Sequence, residues 1–230
     1  MRVVNQRVNA SDFLGPLSSV EEANAPKRLC VSGDTAIMMA GLRVAVVGTR
    51  KPSEAGRRRT HRLATMLAKR GVVVVSGLAK GVDTIAHKAA ISAGGRTMAV
   101  IGTALSKAYP AENRELQNRI AEEHLLVSEF EEGSSGGRWT FPKRNRTMAL
   151  LSDATVIIEA GLKSGTENQG WEAIRLGRPL LLLQSLLDTG HPWLKRLLDY
   201  GAVPLSDDNF DDVMAELPPT KSREAEDAVF

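Results

Sequence analysis

Short runs of valine, isoleucine and leucine recur along this chain, and a segment with helical periodicity follows each of them. The runs predict strands at 44–48, 72–76, 97–102, 125–129, 155–159 and 180–184. Their apolar residues are continuous rather than alternating, which is typical of strands covered by helices on both faces. The segments between them predict helices at 55–70, 83–93, 112–123, 145–152, 166–177 and 192–200. This alternation predicts an extended Rossmann-like α/β fold, doubly wound around a mostly parallel sheet.

The chain length of 230 residues suits one large α/β domain with short extensions. We expect that domain at 27–205, beginning with a short edge strand at 28–31. Residues 1–26 are polar and predict an N-terminal extension, too short for an independent domain. Residues 206–230 predict an acidic tail with one short helix near 210–217 and a disordered last dozen residues.

Cysteine content and apolar patterning point to a cytoplasmic protein. Cys30 is the only cysteine, so an intrachain disulfide is impossible. The first residues lead into no apolar signal-peptide core. No apolar stretch approaches the roughly 20 residues of a membrane span. We therefore expect no membrane association.

Charge is distributed unevenly, although the net charge is only +3. Residues 43–80 contain ten lysines and arginines and one acid, Glu54, whereas residues 205–230 contain eight acids and two basic residues. This asymmetry indicates a basic functional face and an acidic tail; a solvated helix face with a solubilising tail is the alternative.

Three of the predicted strands end in glycines, hydroxyl residues and a cation. The carboxyl ends of parallel strands lie along one edge of a sheet, so these turns should converge there. Glycine lets backbone N–H groups approach an anion, and a following helix N-terminus adds positive partial charge. The alternative for Arg50 is a structural ion pair with a carboxylate. The candidate anion-binding residues are Gly48, Thr49, Arg50, Lys51, Ser76, Gly77, Lys80, Lys163, Ser164 and Gly165.

Known cofactor fingerprints are missing from these turns. The first turn lacks the G-x-G-x-x-G spacing of dinucleotide sites, and no G-x-x-x-x-G-K-[ST] motif occurs anywhere. These gaps argue against an ordinary ATPase or NAD dehydrogenase. The four histidines show no metal-ligand spacing, so we expect neither a metal nor a cofactor.

A fourth basic segment places two aromatic residues, Trp139 and Phe141, directly before three cations. Single-stranded nucleic-acid sites combine cations for phosphates with aromatic platforms for bases. In the alternative, the aromatic rings pack a loop against the core and the cations are solvated at a helix start. Cations are disfavoured at a helix N-terminus, which favours a bound anion. The candidate nucleic-acid contacts are Phe141, Lys143, Arg144, Asn145 and Arg146.

Three further polar residues permit both structural and functional interpretations. We expect Asp83 to cap the helix that follows it. His87 lies one turn later, where a satisfied structural histidine is favoured over a residue that orients Asp83 or transfers protons. Glu159 is expected to orient Lys163 or Arg144, or to hydrogen-bond a ribose or backbone group.

Taken together, the motifs resemble the DNA-processing protein A family (DprA, also called Smf). The resemblance covers residues 26–184 and rests on V-A-V-V-G-T-R at 44–50, S-G-L-A-K-G-V-D at 76–83, Y-P-A-E-N-R at 109–114, F-P-K-R-N-R at 141–146 and E-A-G-L-K-S-G at 159–165. It implies a protein that binds single-stranded DNA at the basic strand ends, forms a homodimer and loads RecA recombinase during natural transformation. By motif position it implies that Arg50, Lys80, Lys143, Arg144 and Lys163 contact DNA, with Phe141 nearby for stacking.

Enzymes of the same superfamily supply the alternative function. Nucleoside-monophosphate phosphoribohydrolases of the cytokinin-activating (LOG) type carry a catalytic glutamate where this chain has Gln169. An amide lacks the negative charge that stabilises an oxocarbenium-like state or activates water. Glu167 and Glu172 are the nearby carboxylates, and their spacing does not match. Related domains that sense NAD or ADP-ribose derivatives also remain open, but the sequence favours a non-enzymatic DNA-binding protein. Residues 166–171 are more polar than the same segment usually is in the DNA-processing protein A family.

Overall fold

One β-sheet positions the loops and helices that carry the predicted site residues. The computed structural model describes residues 5–14, 17–162 and 164–217, and in these ranges nine strands form one sheet in the order β1-β2-β6-β5-β4-β3-β7-β8-β9. The strands are β1 (Asn5–Asn9), β2 (Arg28–Gly33), β3 (Arg43–Val47), β4 (Val73–Ser76), β5 (Thr97–Ile101), β6 (Leu125–Ser128), β7 (Ala154–Ile157), β8 (Leu180–Leu183) and β9 (Val203–Leu205).

Seven of these strands, β3 to β9, are parallel, and β1 and β2 run antiparallel at one edge. The doubly wound, mostly parallel fold predicted from the apolar runs is confirmed. The first and last residues of all six predicted strands lie within two residues of the observed ones. Residues 28–31 form a strand as predicted, within β2, but the prediction that this strand lies at the edge of the sheet is wrong, because β1 pairs outside it. The polar strand β1 and the short β9 lack a continuous apolar run and were not predicted.

Helices cover both faces of the sheet, as the continuous apolar strands require. In the described residues they are α1 (Ser11–Leu14), α2 (Ser19–Asn24), α3 (Glu54–Lys69), α4 (Val82–Ser92), α5 (Arg114–Glu123), α6 (Thr140–Leu150), α7 (Gly165–Arg175), α8 (Gln184–Leu187), α9 (Pro192–Asp199) and α10 (Phe210–Ala215). The helix predicted at 145–152 begins five residues earlier than expected. Pro142 lies in its first turn, where an N–H group needs no helical partner, so proline does not stop the helix.

The order of strands reverses at β3, which has β4 on one side and β7 on the other. Ligands of open α/β sheets bind outside the strand carboxyl ends at such a switch point. A buried ion pair fixes the opposite end of the same strands. The main-chain N–H of Arg43 donates to Asp153 Oδ2 at 2.8 Å, and Arg43 Nη2 lies 3.0 Å from Asp153 Oδ1.

The acidic C-terminal segment lies against the basic helix α3. Arg62 pairs with Asp207 at 2.8 Å, and Arg70 pairs with Asp211 while its guanidinium covers the ring of Phe210. Part of the charge asymmetry seen in the sequence is therefore matched within the fold. The predicted disordered end at 219–230 lies outside the described residues.

Two further observations apply to the described residues. None of their helices combines the length and the apolar character needed to cross a bilayer. No cluster of three or more histidine, cysteine, aspartate or glutamate side chains there is arranged to hold a metal ion.

Candidate functional site

Main-chain hydrogen bonds tie together the loops that follow β3, β4 and β7. Thr49 N donates to the carbonyl of Glu159 at 2.7 Å, and Val82 N donates to the carbonyl of Thr49 at 3.2 Å. Gly81, just before Val82, has φ +79°, and a Cβ there would overlap the carbonyl of Arg50. Only glycine therefore fits where the loop after β4 passes the loop after β3. The predicted convergence of the strand-end turns is therefore present in the fold.

A cavity of about 610 Å³ opens at this switch point, between the loops after β3 and β4 and the helices α6 and α7. Its volume lies within the usual range of small-molecule sites. Arg50 and Lys51 are exposed at it. The predicted site residues that line it are Gly48, Thr49, Arg50, Lys51, Phe141, Arg144, Asn145, Ser164 and Gly165.

The N-terminus of α7 forms one wall of the cavity. Ser164 caps the helix by accepting a hydrogen bond from Thr166 N at 3.1 Å, and its hydroxyl contacts Thr166 Oγ1 at 2.9 Å. Helix N-termini carry partial positive charge, so this wall favours an anion. Lys163, the predicted cation of this turn, lies outside the described residues.

Arg144 lies buried beneath the cavity. Its Nη1 donates to the carbonyl of Val100 at 3.3 Å and lies 4.0 Å from Asp83 Oδ2. The guanidinium packs so closely on Gly77 that a Cβ at that glycine would overlap it. Burial lowers the pKa of Arg144, although Asp83 opposes the shift. The sequence placed Arg144 on the site surface, but its cationic group lies mostly below that surface.

Asp83 does not cap α4, because the residue at the cap position is Gly81. Its carboxylate instead accepts hydrogen bonds from the N–H groups of Gly77 and Ala79, at 3.2 and 3.3 Å. Burial raises the pKa of Asp83, and Arg144 counteracts part of that rise. Asp83 therefore organises the loop after β4 around Arg144.

Gln169 is the most unusual polar group at the cavity. It lines the cavity, its residue surface is only 2% exposed, and neither amide atom has a protein hydrogen-bond partner. Leaving a buried amide unpaired costs about 1–3 kcal/mol. Such a group at a cavity wall indicates a ligand that supplies the missing hydrogen bonds. The sequence identified this position only as an altered catalytic residue.

A smaller cavity of about 60 Å³ adjoins the first and shares Arg50, Phe141 and Arg144 with it. The predicted residues Gly77 and Lys80 line it, and Lys80 Nζ lies 2.5 Å from Glu112 Oε1. Hydrogen bonding to Lys80 lowers the pKa of Glu112. The cavity also includes Tyr109, whose exposed ring lies 5.3 Å from that of Phe141. Its place in the Y-P-A-E-N-R motif was the only sequence signal for this second aromatic residue.

Three predicted site residues lie elsewhere. Ser76 is fully buried, and its hydroxyl donates to the carbonyl of Val46 at 2.7 Å, so its side chain has no free surface for a ligand. Lys143 and Arg146 point to the other side of α6, where they line a separate cavity. A helical period of 3.6 residues places 141, 144, 145 and 148 on one face and 143 and 146 on the opposite face.

His87 and Glu159 have structural partners. The hydroxyl of Thr97 donates to the carbonyl of Val74 at 2.6 Å, so it accepts from Nδ1–H of His87 at 2.7 Å. Burial lowers the pKa of His87 to about 3. The bond at Nδ1 agrees with the preferred interpretation of a structural histidine, but the buried Nε2 has no protein partner, so the ring is only partly satisfied. Glu159 accepts hydrogen bonds from Ser53 N and Oγ at 2.9 and 2.7 Å. It thus bonds a backbone group, one of its predicted roles, and anchors the start of α3.

Sequence comparison relates this chain to one protein family. The model of DNA recombination-mediator protein A matches residues 10–218. The DNA processing protein DprA of Bacillus subtilis (strain 168) is 33% identical over 194 residues, which cover 84% of this chain and 65% of that protein. DprA of Streptococcus pneumoniae is 38% identical over 175 residues, 76% of this chain and 61% of that protein. The chain thus spans less than two thirds of these relatives.

Solved structures show the same relationship. The X-ray structure of DprA from Streptococcus pneumoniae superposes with a TM-score of 0.80 at 33% identity and covers 93% of this chain and 75% of that chain. DprA from Helicobacter pylori, described as having a unique single-stranded DNA binding mode, gives 0.76 at 32% identity and covers 94% and 97%. A molybdenum cofactor binding protein from Rippkaea orientalis shares the fold alone, at 18% identity and a TM-score of 0.55.

Proposed function

The chain belongs to the DNA recombination-mediator protein A family, and we propose that it binds single-stranded DNA with one nucleotide held in the switch-point cavity. The resemblance drawn from the sequence motifs is confirmed by the family match. One observation carries the proposal: the unpartnered amide of Gln169 lies at a cavity that is also lined by the exposed cations Arg50 and Lys51.

The groups that line this cavity match the two parts of a nucleotide, its base and its phosphate. Every base edge offers hydrogen-bond donors and acceptors, which an amide carrying both groups complements. Phosphates are attracted by cations and by the α7 N-terminus. Phe141 and Tyr109 lie beside the cavity and supply aromatic surface of the kind on which bases stack. A base unstacked from its neighbours is readily available only in single-stranded nucleic acid.

The carboxylates near the cavity argue against the phosphoribohydrolase alternative. Among its described lining residues only Asp83 is acidic, and that carboxylate is held by two N–H groups and Arg144. Glu167 pairs with Arg196 at 2.8 Å, and Glu172 pairs with Arg146 at 3.0 Å. Neither glutamate is placed to replace the missing catalytic carboxylate, so we propose binding without catalysis.

The proposal includes the cellular setting implied by the family. We propose a cytoplasmic homodimer whose nucleic-acid site lies on the 27–205 domain, between the 1–26 extension and the 206–230 tail. Its DNA contacts are the predicted residues that line the two cavities, together with Lys163. Protection of incoming single strands and loading of RecA during transformation or recombination are the proposed roles. The relatives named DNA processing protein support them.

Binding of a fluorescent oligothymidylate across a salt series tests the proposal. Each phosphate contact in a single strand contributes about −0.7 to the slope of log affinity against log salt concentration. Arg50→Ala should therefore weaken binding and make the slope shallower by about 0.7. Arg119→Ala is the matched control, because Arg119 is an exposed arginine that pairs with Glu123 on α5.

Two results would refute this function. One is the absence of oligonucleotide binding by the wild-type chain at low salt. The other is release of free base from AMP or NAD, which would favour the hydrolase.

A further inference from the structure

Helix α6 separates the switch-point cavity from a cavity of about 270 Å³ on its opposite face. This cavity, called the second cavity from here on, is distinct from the 60 Å³ cavity that adjoins the first. Lys143 and Arg146 line the second cavity from the helix, and Lys27 and Arg28 line it from the start of β2. The antiparallel register pairs Cys30 with Ser128, so residues just before Cys30 lie beside those just after Ser128. This pairing brings Lys27 and Arg28 to the carboxyl end of β6, although the two segments lie about a hundred residues apart in sequence.

The cavity carries an excess of positive charge. Four cations line it, and two carboxylates offset them: Glu129, which also lines the cavity, and Glu172, which pairs with Arg146, so two positive charges remain in excess. Lys27 and Arg28 are both exposed. An excess of cations around a concave surface concentrates the field and attracts polyanions.

The carboxylates here hold the cations in position and do not block them. The side chain of Glu129 is only 4% exposed; its carboxylate accepts a hydrogen bond from the hydroxyl of Thr147 and lies 3.0 Å from Lys143 Nζ. The Lys143 side chain is still 52% exposed in this pair. Arg146 is held in the same way by Glu172 and remains 33% exposed. Cations fixed beforehand lose less conformational entropy when an anion binds.

We propose that the second cavity is a phosphate subsite for the same DNA strand that enters the switch-point cavity. The inference rests on the proposed function and extends it across α6. A helix with its side chains is about 10–12 Å wide, so even at the roughly 3.4 Å rise of a stacked strand about three nucleotides span it, and an unstacked, more extended strand needs fewer. A strand with one nucleotide in the first cavity therefore brings a phosphate to the second within about three nucleotides.

Dependence on oligonucleotide length tests the second subsite. The variant is Lys27→Gln combined with Arg28→Gln, and the probes are a thymidine dinucleotide and an oligothymidylate of about 12 nucleotides. The longer probe should bind more weakly than to wild type, with a salt slope shallower by about 1.4 for two lost phosphate contacts. Dinucleotide affinity should not change, because the dinucleotide occupies only the first cavity. Lys27→Gln alone should reduce the slope by about 0.7.

A matched control combines Arg119→Gln with Lys195→Gln, which neutralises two exposed, ion-paired cations on α5 and α9. Thermal denaturation checks that all variants are folded. Equal weakening of both probes, or no weakening beyond the control, would overturn the subsite while leaving the proposed function intact. Failure of wild type to bind either probe would overturn both.

Discussion

Replacing Gln169 by methionine should stabilise the free protein and weaken DNA binding at the same time. Methionine has a similar volume and fills irregular space without polar atoms. The change removes two buried amide atoms that lack protein partners. A structural residue would respond in the opposite way, since the loss of a satisfied hydrogen bond destabilises a fold.

The magnitudes follow from the burial of the amide. Removing an unsatisfied buried amide relieves about 1–3 kcal/mol of desolvation cost. In a domain of this size each kcal/mol shifts Tm by about 2–4 °C, so Tm should rise by about 2–12 °C. Two lost hydrogen bonds to a base are worth about 1–3 kcal/mol, a loss of about 5- to 150-fold in oligonucleotide affinity.

Differential scanning calorimetry and fluorescence anisotropy measure the two effects separately. Gln117→Met is the matched control, because Gln117 is another buried glutamine whose Oε1 also lacks a partner but whose Nε2 donates to the carbonyl of Leu105 at 2.8 Å. That variant loses an existing hydrogen bond, so its Tm should lie below that of Gln169→Met, and its DNA affinity should equal that of wild type. A lower Tm for Gln169→Met, or an affinity equal to wild type, would refute the assignment of this amide to the ligand.

The remaining predictions concern groups buried around the loop after β4. Gly77→Ala should displace the Arg144 guanidinium and break its contact with Asp83. The free energy of unfolding in urea should then fall by about 3–5 kcal/mol. An unchanged urea midpoint would contradict this packing. The pKa of His87 is lowered to about 3 in the folded state, so the unfolded state binds one more proton between about pH 3 and 6.5. The free energy of unfolding should therefore fall as pH falls through that range. His87→Gln should flatten that dependence by about 1.4 kcal/mol per pH unit, and an identical slope would show that His87 does not titrate in this way.

The sequence was sufficient to predict the parallel part of the sheet, because each strand there is buried on both faces and its apolar run is continuous. It failed at β1 and β9, which lie at the two edges of the sheet and are held by backbone pairing more than by apolar side chains. Their formation depends on neighbouring strands that are distant in sequence.

For the candidate site, the sequence predicted which turns converge but not which way each side chain points. Arg144 and Arg146 belong to the same basic segment, yet one is buried beneath the first cavity and the other faces the second. The early start of α6 fixes that division, and the prediction of a helix from 145 could not show it. Gln169 was overlooked as a contact because an unpaired amide is recognisable only from its surroundings.

Under the proposed function, the burial of Arg144 and the exposure of Arg50 should divide the kinetics of DNA binding between two sets of residues. Exposed cations at the rim of a site steer a charged partner and set the association rate, with strong dependence on salt. Groups buried within a site act mainly on the dissociation rate, since they engage only after water has been displaced. Arg50 and Lys51 should therefore control how fast a strand is captured, whereas Arg144 and Gln169 should control how long it stays.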